Sequence, residues 1–214
     1  MKHTKEQTAI VNKIKKWLQT AQETKADTYH FGINITRLTS IKSLCENDPI
    51  AAGKLALFIM QRVYQNMNEM SRPEYFSVED WRDDKQLISE GINLMEKYLQ
   101  NSEPEVKPKM RSLLNKINDR QGDNIRRVHW NTIHFVRSGY LLKLDYALRC
   151  FIDRDFTYWV YKFAADYVAK INGITPESVP MLLEVAEFWC QYYFGQTLTE
   201  KFPKFTFTEI SKEG

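Results

Sequence analysis

The sequence predicts an all-α fold: a compact bundle of about seven or eight helices around one long central helix, residues 123–152, with an extended aromatic C-terminal tail. Three observations carry that expectation. Eight glycines and seven prolines in 214 residues are well under the roughly 12% of average usage, which suits long helices joined by short connections. Apolar residues recur at the i, i+3, i+4, i+7 spacing of a helix face through most of the length. The five tryptophans, Trp17, Trp81, Trp130, Trp159 and Trp189, are spread along the chain rather than gathered, which favours one shared core. Residues 1–200 are therefore expected to form a single helical domain, followed by the tail, 201–214. The one linker-like stretch, Asn101 to Pro108, marks a possible subdomain boundary.

In chain order, the first helix is expected from Thr4 to about Thr24, with Ile10, Ile14, Trp17, Leu18 and Ala21 on one face. From Tyr29 to Cys45 the β-branched run Ile33, Ile35, Thr36 weakens helix propensity. Ile35, Leu38, Ile41 and Cys45 still keep helical spacing, so a helix is expected there too. Asp48 then supplies an N-cap and Pro49 a first helical residue. Leu55, Ile59, Val63, Met67 and Met70 follow at intervals of three or four, and Ala51, Ala52, Gly53 and Ala56 would let a neighbouring helix come close. Ser71-Arg72-Pro73 breaks the pattern. Ser77 with Asp80 starts the next helix in the manner of a capping box, with Ile88, Gly91, Ile92, Met95 and Tyr98 on its buried face.

Val106, Met110, Leu113, Leu114 and Ile117 predict a short basic helix that the sequence NDRQGDN should end. The central helix would start at Asp123 or Asn124 and run about 45 Å at ~1.5 Å per residue. Its apolar residues cover more than half the helical wheel, and a narrow polar stripe, Arg127, Asn131, His134, Ser138, Asp145 and Arg149, remains for water or a partner. After a turn at Asp153 to Asp155, a helix is expected from Phe156 to Ile171, ended by Asn172-Gly173. Thr175-Pro176-Glu177 should cap the next helix, which carries Met181, Leu182, Val185, Phe188, Trp189, Tyr192 and Tyr193 and which Gly195 should close. Glu184, Glu187 and Gln191 read as its solvent edge. In the tail, Phe205, Thr206, Phe207 and Thr208 alternate with the period of an extended segment.

The net charge of +3 is too small to imply a polyanionic partner by itself. It hides two neighbouring segments of opposite sign. Residues 77–105 carry eight acids against three bases, and residues 107–127 carry seven bases against two acids, so the two could attract each other within the fold. Cys45, Cys150 and Cys190 form no CxxC pair and are odd in number, so neither a disulfide framework nor a zinc site is indicated. No apolar run approaches the ~18 residues of a membrane span, and no leader pattern follows the charged start. A soluble cytoplasmic protein with no membrane partner is expected.

Candidate chemistry concentrates on the central helix. His129 and His134, five residues apart, would point about 140° away from each other and cannot chelate one metal from a regular helix. His129 falls on the apolar arc, where a hydrogen-bonded neutral imidazole is the plain reading. His134 lies on the polar stripe, and with Arg127 and Asp145 it could line a cleft holding a general acid or base beside an anion-binding cation. The opposing reading is a solvated edge with Asp145 and Arg149 as an i, i+4 ion pair. Glu79, Asp80, Asp83 and Asp84 resemble a metal motif but occupy the first turns of a helix, where they complement its dipole. No metal or cofactor is expected. The basic segment, with Lys107, Lys109, Arg111, Lys116, Arg120, Arg126 and Arg127, offers a nucleic-acid surface but has no aromatic to stack on bases. The leading expectation is a non-catalytic helical protein that binds another protein or itself, through a helix face or the tail aromatics Phe202, Phe205 and Phe207. The alternatives are a nucleic-acid binder using residues 107–127 and a helical enzyme or cofactor binder with a pocket near His134 or His129.

Overall fold

The computed structural model describes residues 4–23, 48–74, 76–101, 105–127, 133–152 and 178–203. Among them are seven helices and no strand: α1 Lys5–Glu23, α2 Pro49–Glu69, α3 Val78–Asn101, α4 Val106–Arg127, α5 Ile133–Ile152, α6 Ser178–Phe194 and α7 Leu198–Lys201. The all-α expectation holds. The helices expected over Tyr29 to Cys45 and Phe156 to Ile171 lie outside the described residues. The chain divides into two compact units, one formed by Asp48–Phe163 and the other by Met1–Asn47 with Ala164–Gly214. Residues 101–108 fall inside the first of these.

The described residues of the Asp48–Phe163 unit form a four-helix bundle of α2 to α5. Its entry is set locally. Asp48 Oδ1 accepts the Ala51 N–H at 2.9 Å with Pro49 in the first turn, which satisfies a donor that helix geometry leaves orphaned. Ala51, Ala52, Leu55, Ala56, Ile59 and Met60 are then fully buried along α2. At the start of α3 the Asp80 N–H donates to Ser77 Oγ at 3.0 Å. Half of the expected capping box is thus made, while the Asp80 carboxylate turns to Arg120 at 3.2 Å instead. A cation is a stronger partner for that carboxylate than a backbone amide.

Side-chain pairs fix the helix directions. Gln61 meets Glu96 at 2.9 Å between α2 and α3. Between α3 and α4, Glu90 pairs with Lys116 and Asp84 with Arg120, so advancing along one helix means retreating along the other. Trp81 with Tyr140, Gly91 with Leu144 and Tyr98 with Phe151 advance together, so α3 and α5 are parallel. The order is up-down-up-down, as in short-looped bundles. α2 and α4 each pack on both α3 and α5, and α3 also packs on α5. Gly91 allows that approach of the two parallel helices: a Cβ there would overlap Leu144 Cδ1.

The expected central helix over residues 123–152 is not one rod. Residues 123–127 are the last turns of α4, α5 begins at Ile133, and α4 and α5 lie side by side, which two halves of a straight helix cannot do. The sequence NDRQGDN, read as a helix end, is helical throughout. Gly122 inside a helix costs only about 0.5 to 1 kcal/mol relative to Ala, and no proline interrupts the hydrogen-bond ladder. Met110, Leu113 and Ile117 of the same helix are fully buried, each contributing about 1.5 to 3 kcal/mol. Packing therefore outweighs the weak breakers.

In the other unit α6 packs against α1 and α7. Thr4 and Gln7 cap α1 reciprocally, the Gln7 N–H donating to Thr4 Oγ1 at 3.2 Å and the Thr4 N–H to Gln7 Oε1 at 3.1 Å. Ile14 on α1 and Val185, Ala186, Trp189 and Cys190 on α6 are fully buried. Gly195 ends α6 as expected: its φ of 61° lies in the left-handed region, and its N–H donates to the Gln191 carbonyl at 3.0 Å. Glu187 does not lie on a free edge. It accepts the Leu198 N–H at 2.6 Å, which ties the first turn of α7 to α6. Thr197 and Glu200 form a capping box on α7, and those hydrogen bonds hold the Glu200 carboxyl below its usual range.

Candidate functional site

The most concentrated electrostatics of the bundle lie where α3 and α4 face each other. Arg120 extends from α4 toward the first two turns of α3 and meets three carboxylates. Its Nε donates to Asp84 Oδ1 at 2.6 Å, its Nη2 to Asp80 Oδ1 at 3.2 Å and to the Asp80 carbonyl at 3.1 Å, and its Nη1 lies 3.7 Å from Asp83 Oδ2. Asp84 is 2% exposed. A guanidinium suits this place because its donors fan out in a fixed plane. The opposite charges of the two neighbouring segments thus meet inside the bundle, as their signs allowed. Among the described residues no group of three His, Cys, Asp or Glu is placed to hold a metal ion; the aspartates that resembled a metal motif converge on Arg120 instead.

The basic segment is divided by this arrangement. Arg120 and Lys116 face α3, Lys109 lies 3.9 Å from Glu105 one turn back, and the Lys107 ammonium sits 5.5 Å from the centre of the Tyr98 ring. Arg111 is exposed. Arg126 and Arg127 belong to the last turn of α4, and their side chains lie outside the described part. Four of the seven cations are therefore engaged with groups of the bundle itself.

The polar stripe expected on the central helix is split. Arg127 is on α4, Asn131 and His129 lie outside the described residues, and His134, Ser138, Asp145 and Arg149 are on α5. His134 and Asp145 are eleven positions apart on α5, about 16 Å of helix rise, so the structure does not bring these two together. The side chains of His134 and Ser138 are outside the described part. Asp145 is buried rather than on a solvated edge, at 6% exposure. Its Oδ2 accepts from Arg149 Nε at 2.9 Å, the expected i, i+4 pair, while its Oδ1 is buried without a hydrogen-bond partner among the described residues.

The tail aromatics are reached only at their start. Phe202 is half-buried directly after α7, and its N–H donates to the Leu198 carbonyl at 2.8 Å; Phe205 and Phe207 lie outside the described residues. Cys190 is fully buried, and burial, with the nearby Glu187 charge adding to it, pushes its thiol up to about 12. It stays protonated near neutral pH, the form in which a thiol is a poor nucleophile.

A concave surface that residue spacing did not reveal is a groove of about 710 Å³ beside α2 and α3. Tyr64 of α2 contributes to one wall. Along α3, Arg82, Lys85 and Lys97 bring cations to it, and Gln86, Ser89 and Asn93 form an uncharged row between them. Glu90 is its one carboxylate. These positions recur every three or four residues on the solvent side of α3, opposite Ile88, Ile92 and Met95, so the wheel of this helix carried the signal; what it lacked was the position of Tyr64. Among the described residues three large apolar side chains are exposed: Ile50 at 62%, Met70 at 40% and Val78 at 68%. Met70 closes α2, Val78 opens α3, and the Tyr140 hydroxyl approaches Met70 Sδ at 3.5 Å. No helix among the described residues is long and apolar enough to cross a membrane. Comparison of the chain with protein-family models, with curated proteins and with solved structures finds no match.

Proposed function

We propose that this is a non-catalytic helical protein that works by binding another protein or a second copy of itself. The observation that carries this reading is how polar and apolar groups are used in the Asp48–Phe163 unit. Its concentrated charges close ion pairs between its own helices, Asp80, Asp83 and Asp84 on Arg120 and Glu90 on Lys116. Large apolar side chains, Met70 and Val78, stay in water at the α2–α3 corner. Methionine at a surface is an adaptable contact, and exposed apolar groups beside a tyrosine are the material of protein interfaces. In the sequence the tail aromatics Phe205 and Phe207 offer a second candidate contact.

Light scattering during size-exclusion chromatography tests the reading, together with a mass-spectrometric inventory of what co-purifies with the chain from its own cells. The expected result is a concentration-dependent mass above the monomer or a stoichiometric protein companion. Met70→Ser with Val78→Ser, or a chain ending at Lys204, should lose it while keeping its helical circular dichroism. A chain that is monomeric and unaccompanied, or whose association ignores both changes, overturns the reading.

A further inference from the structure

We propose that the groove beside α2 and α3 docks an acidic segment of a partner protein, one with carboxylates at its two ends and an uncharged middle. This rests on the protein-binding reading above and adds the surface and the chemistry of the partner. The argument starts from how α3 sorts its charge. The segment 77–105 is strongly acidic in sequence, yet its described acids on α3 turn largely to the rest of the bundle: Asp80, Asp83 and Asp84 to Arg120, Glu90 to Lys116, Glu96 to Gln61. Glu79 is exposed in the first turn, outside the groove. The bases of α3 take the groove. Arg82, with 72% of its side chain exposed, also lies 3.4 Å from Asp83, but an exposed pair of that length is worth only about 0 to 1 kcal/mol and does not withhold the guanidinium from a ligand. The Lys85 ammonium is steered by the Trp81 ring, 5.3 Å from its centre. The groove face thus has the sign opposite to that of its segment.

The spacing of the charges describes the partner. Arg82 and Lys97 are separated by about 22 Å of helix rise, which matches about fifteen residues of a helix or about seven of an extended chain. Between them Gln86, Ser89 and Asn93 offer amide and hydroxyl groups that both donate and accept, with the half-buried Tyr64 alongside. A protein segment with acids at the ends and polar groups between them fits that order. Duplex DNA carries a charge every ~1.7 Å, so it would press phosphates against the uncharged row and against Glu90; the pattern favours a peptide.

The test is fluorescence anisotropy of the full chain with two labelled synthetic peptides of about sixteen residues and equal composition, one with a pair of glutamates at each end and one with all four in the middle. A short DNA duplex serves as the third probe. The end-charged peptide should bind about tenfold more tightly than its isomer, more weakly as salt is added. Arg82→Gln and Lys97→Gln, both exposed positions whose variants are checked by circular dichroism, should each weaken it by about threefold to tenfold. Equal binding of the two peptides, indifference to both substitutions, preference for the duplex, or no binding at about 1 mM overturns the proposal. If the peptide fails while the chain still self-associates or retains a protein companion, the groove assignment is wrong and the protein-binding reading stands; if both fail, neither survives.

Discussion

Asp84 keeps 2% of its surface exposed while carrying a carboxylate, and the Arg120 guanidinium 2.6 Å away compensates that burial. Taking a carboxylate out of water costs several kcal/mol, which a partner offsets only with short, well-directed hydrogen bonds. Arg120→Ala should therefore destabilise the protein by about 3 to 5 kcal/mol, because it takes the short charge-assisted hydrogen bond from a buried carboxylate and removes the cation on which Asp80, Asp83 and Asp84 converge. Arg120→Lys should recover only part of the loss, since one ammonium cannot reach three carboxylates and a carbonyl from one position. Replacing the pair together, Arg120→Met with Asp84→Leu, should come close to the parent, because both desolvated charges leave at once. Urea denaturation midpoints at constant m-value read all three. A parent-like Arg120→Ala would mean that water already solvates Asp84 and that the pair is incidental. Asp145 is the second buried carboxylate, with one oxygen on Arg149 and the other without a hydrogen-bond partner among the described residues.

At the scale of the element, α3 is shaped by Gly91 on one side and by its row of cations on the other. Gly91 faces Leu144 so closely that an added Cβ would overlap its Cδ1, and Leu144 is fully buried. Gly91→Val should cost about 1 to 3 kcal/mol by overpacking, despite removing a helix-weakening glycine. In a cycle with Leu144→Ala the double variant should be less destabilised than the two single losses added together, since each change relieves the other. Thermal unfolding followed by circular dichroism measures the cycle, and strict additivity would place the strain elsewhere. What was legible along these elements followed how local the cause was. Asp48 with Pro49, Thr4 at the start of α1 and Gly195 at the end of α6 act within four residues, and the sequence alone placed them. The junction near Asp123 was not legible, because Gly122 weakens a helix by at most about 1 kcal/mol while burial of Met110, Leu113 and Ile117 amounts to several times that. The ion pairs were visible only as opposite charge on neighbouring segments. That Arg120 is the member that meets three aspartates depends on which face of α4 turns to α3. The groove was hidden for the same reason, since Tyr64 and the cations of α3 come together only once α2 is laid beside α3.

At the scale of the whole molecule, the two units differ in how the chain builds them. Asp48–Phe163 is one continuous stretch, whereas the other unit joins the first 47 residues to those after Ala164. The contacts that define the bundle, from Gln61 with Glu96 to Tyr98 with Phe151, fall within a span of about a hundred residues, mostly between successive or next-but-one helices with α2 and α5 closing the bundle, a helical topology that folds quickly. The discontinuous unit cannot close until α6 exists, and α1 alone, at 19 residues, is only marginally longer than an isolated helix needs to be in water. Residues 48–163 expressed alone should therefore show a helical spectrum and a cooperative thermal transition, and the transition should shift down when Arg120→Ala is introduced. A peptide of residues 1–47 should stay largely unstructured until a fragment carrying residues 164–214 is added. If residues 48–163 unfold without cooperativity, the bundle depends on the other unit, and the Arg120 cluster and the Gly91 contact must then be read as parts of one larger core.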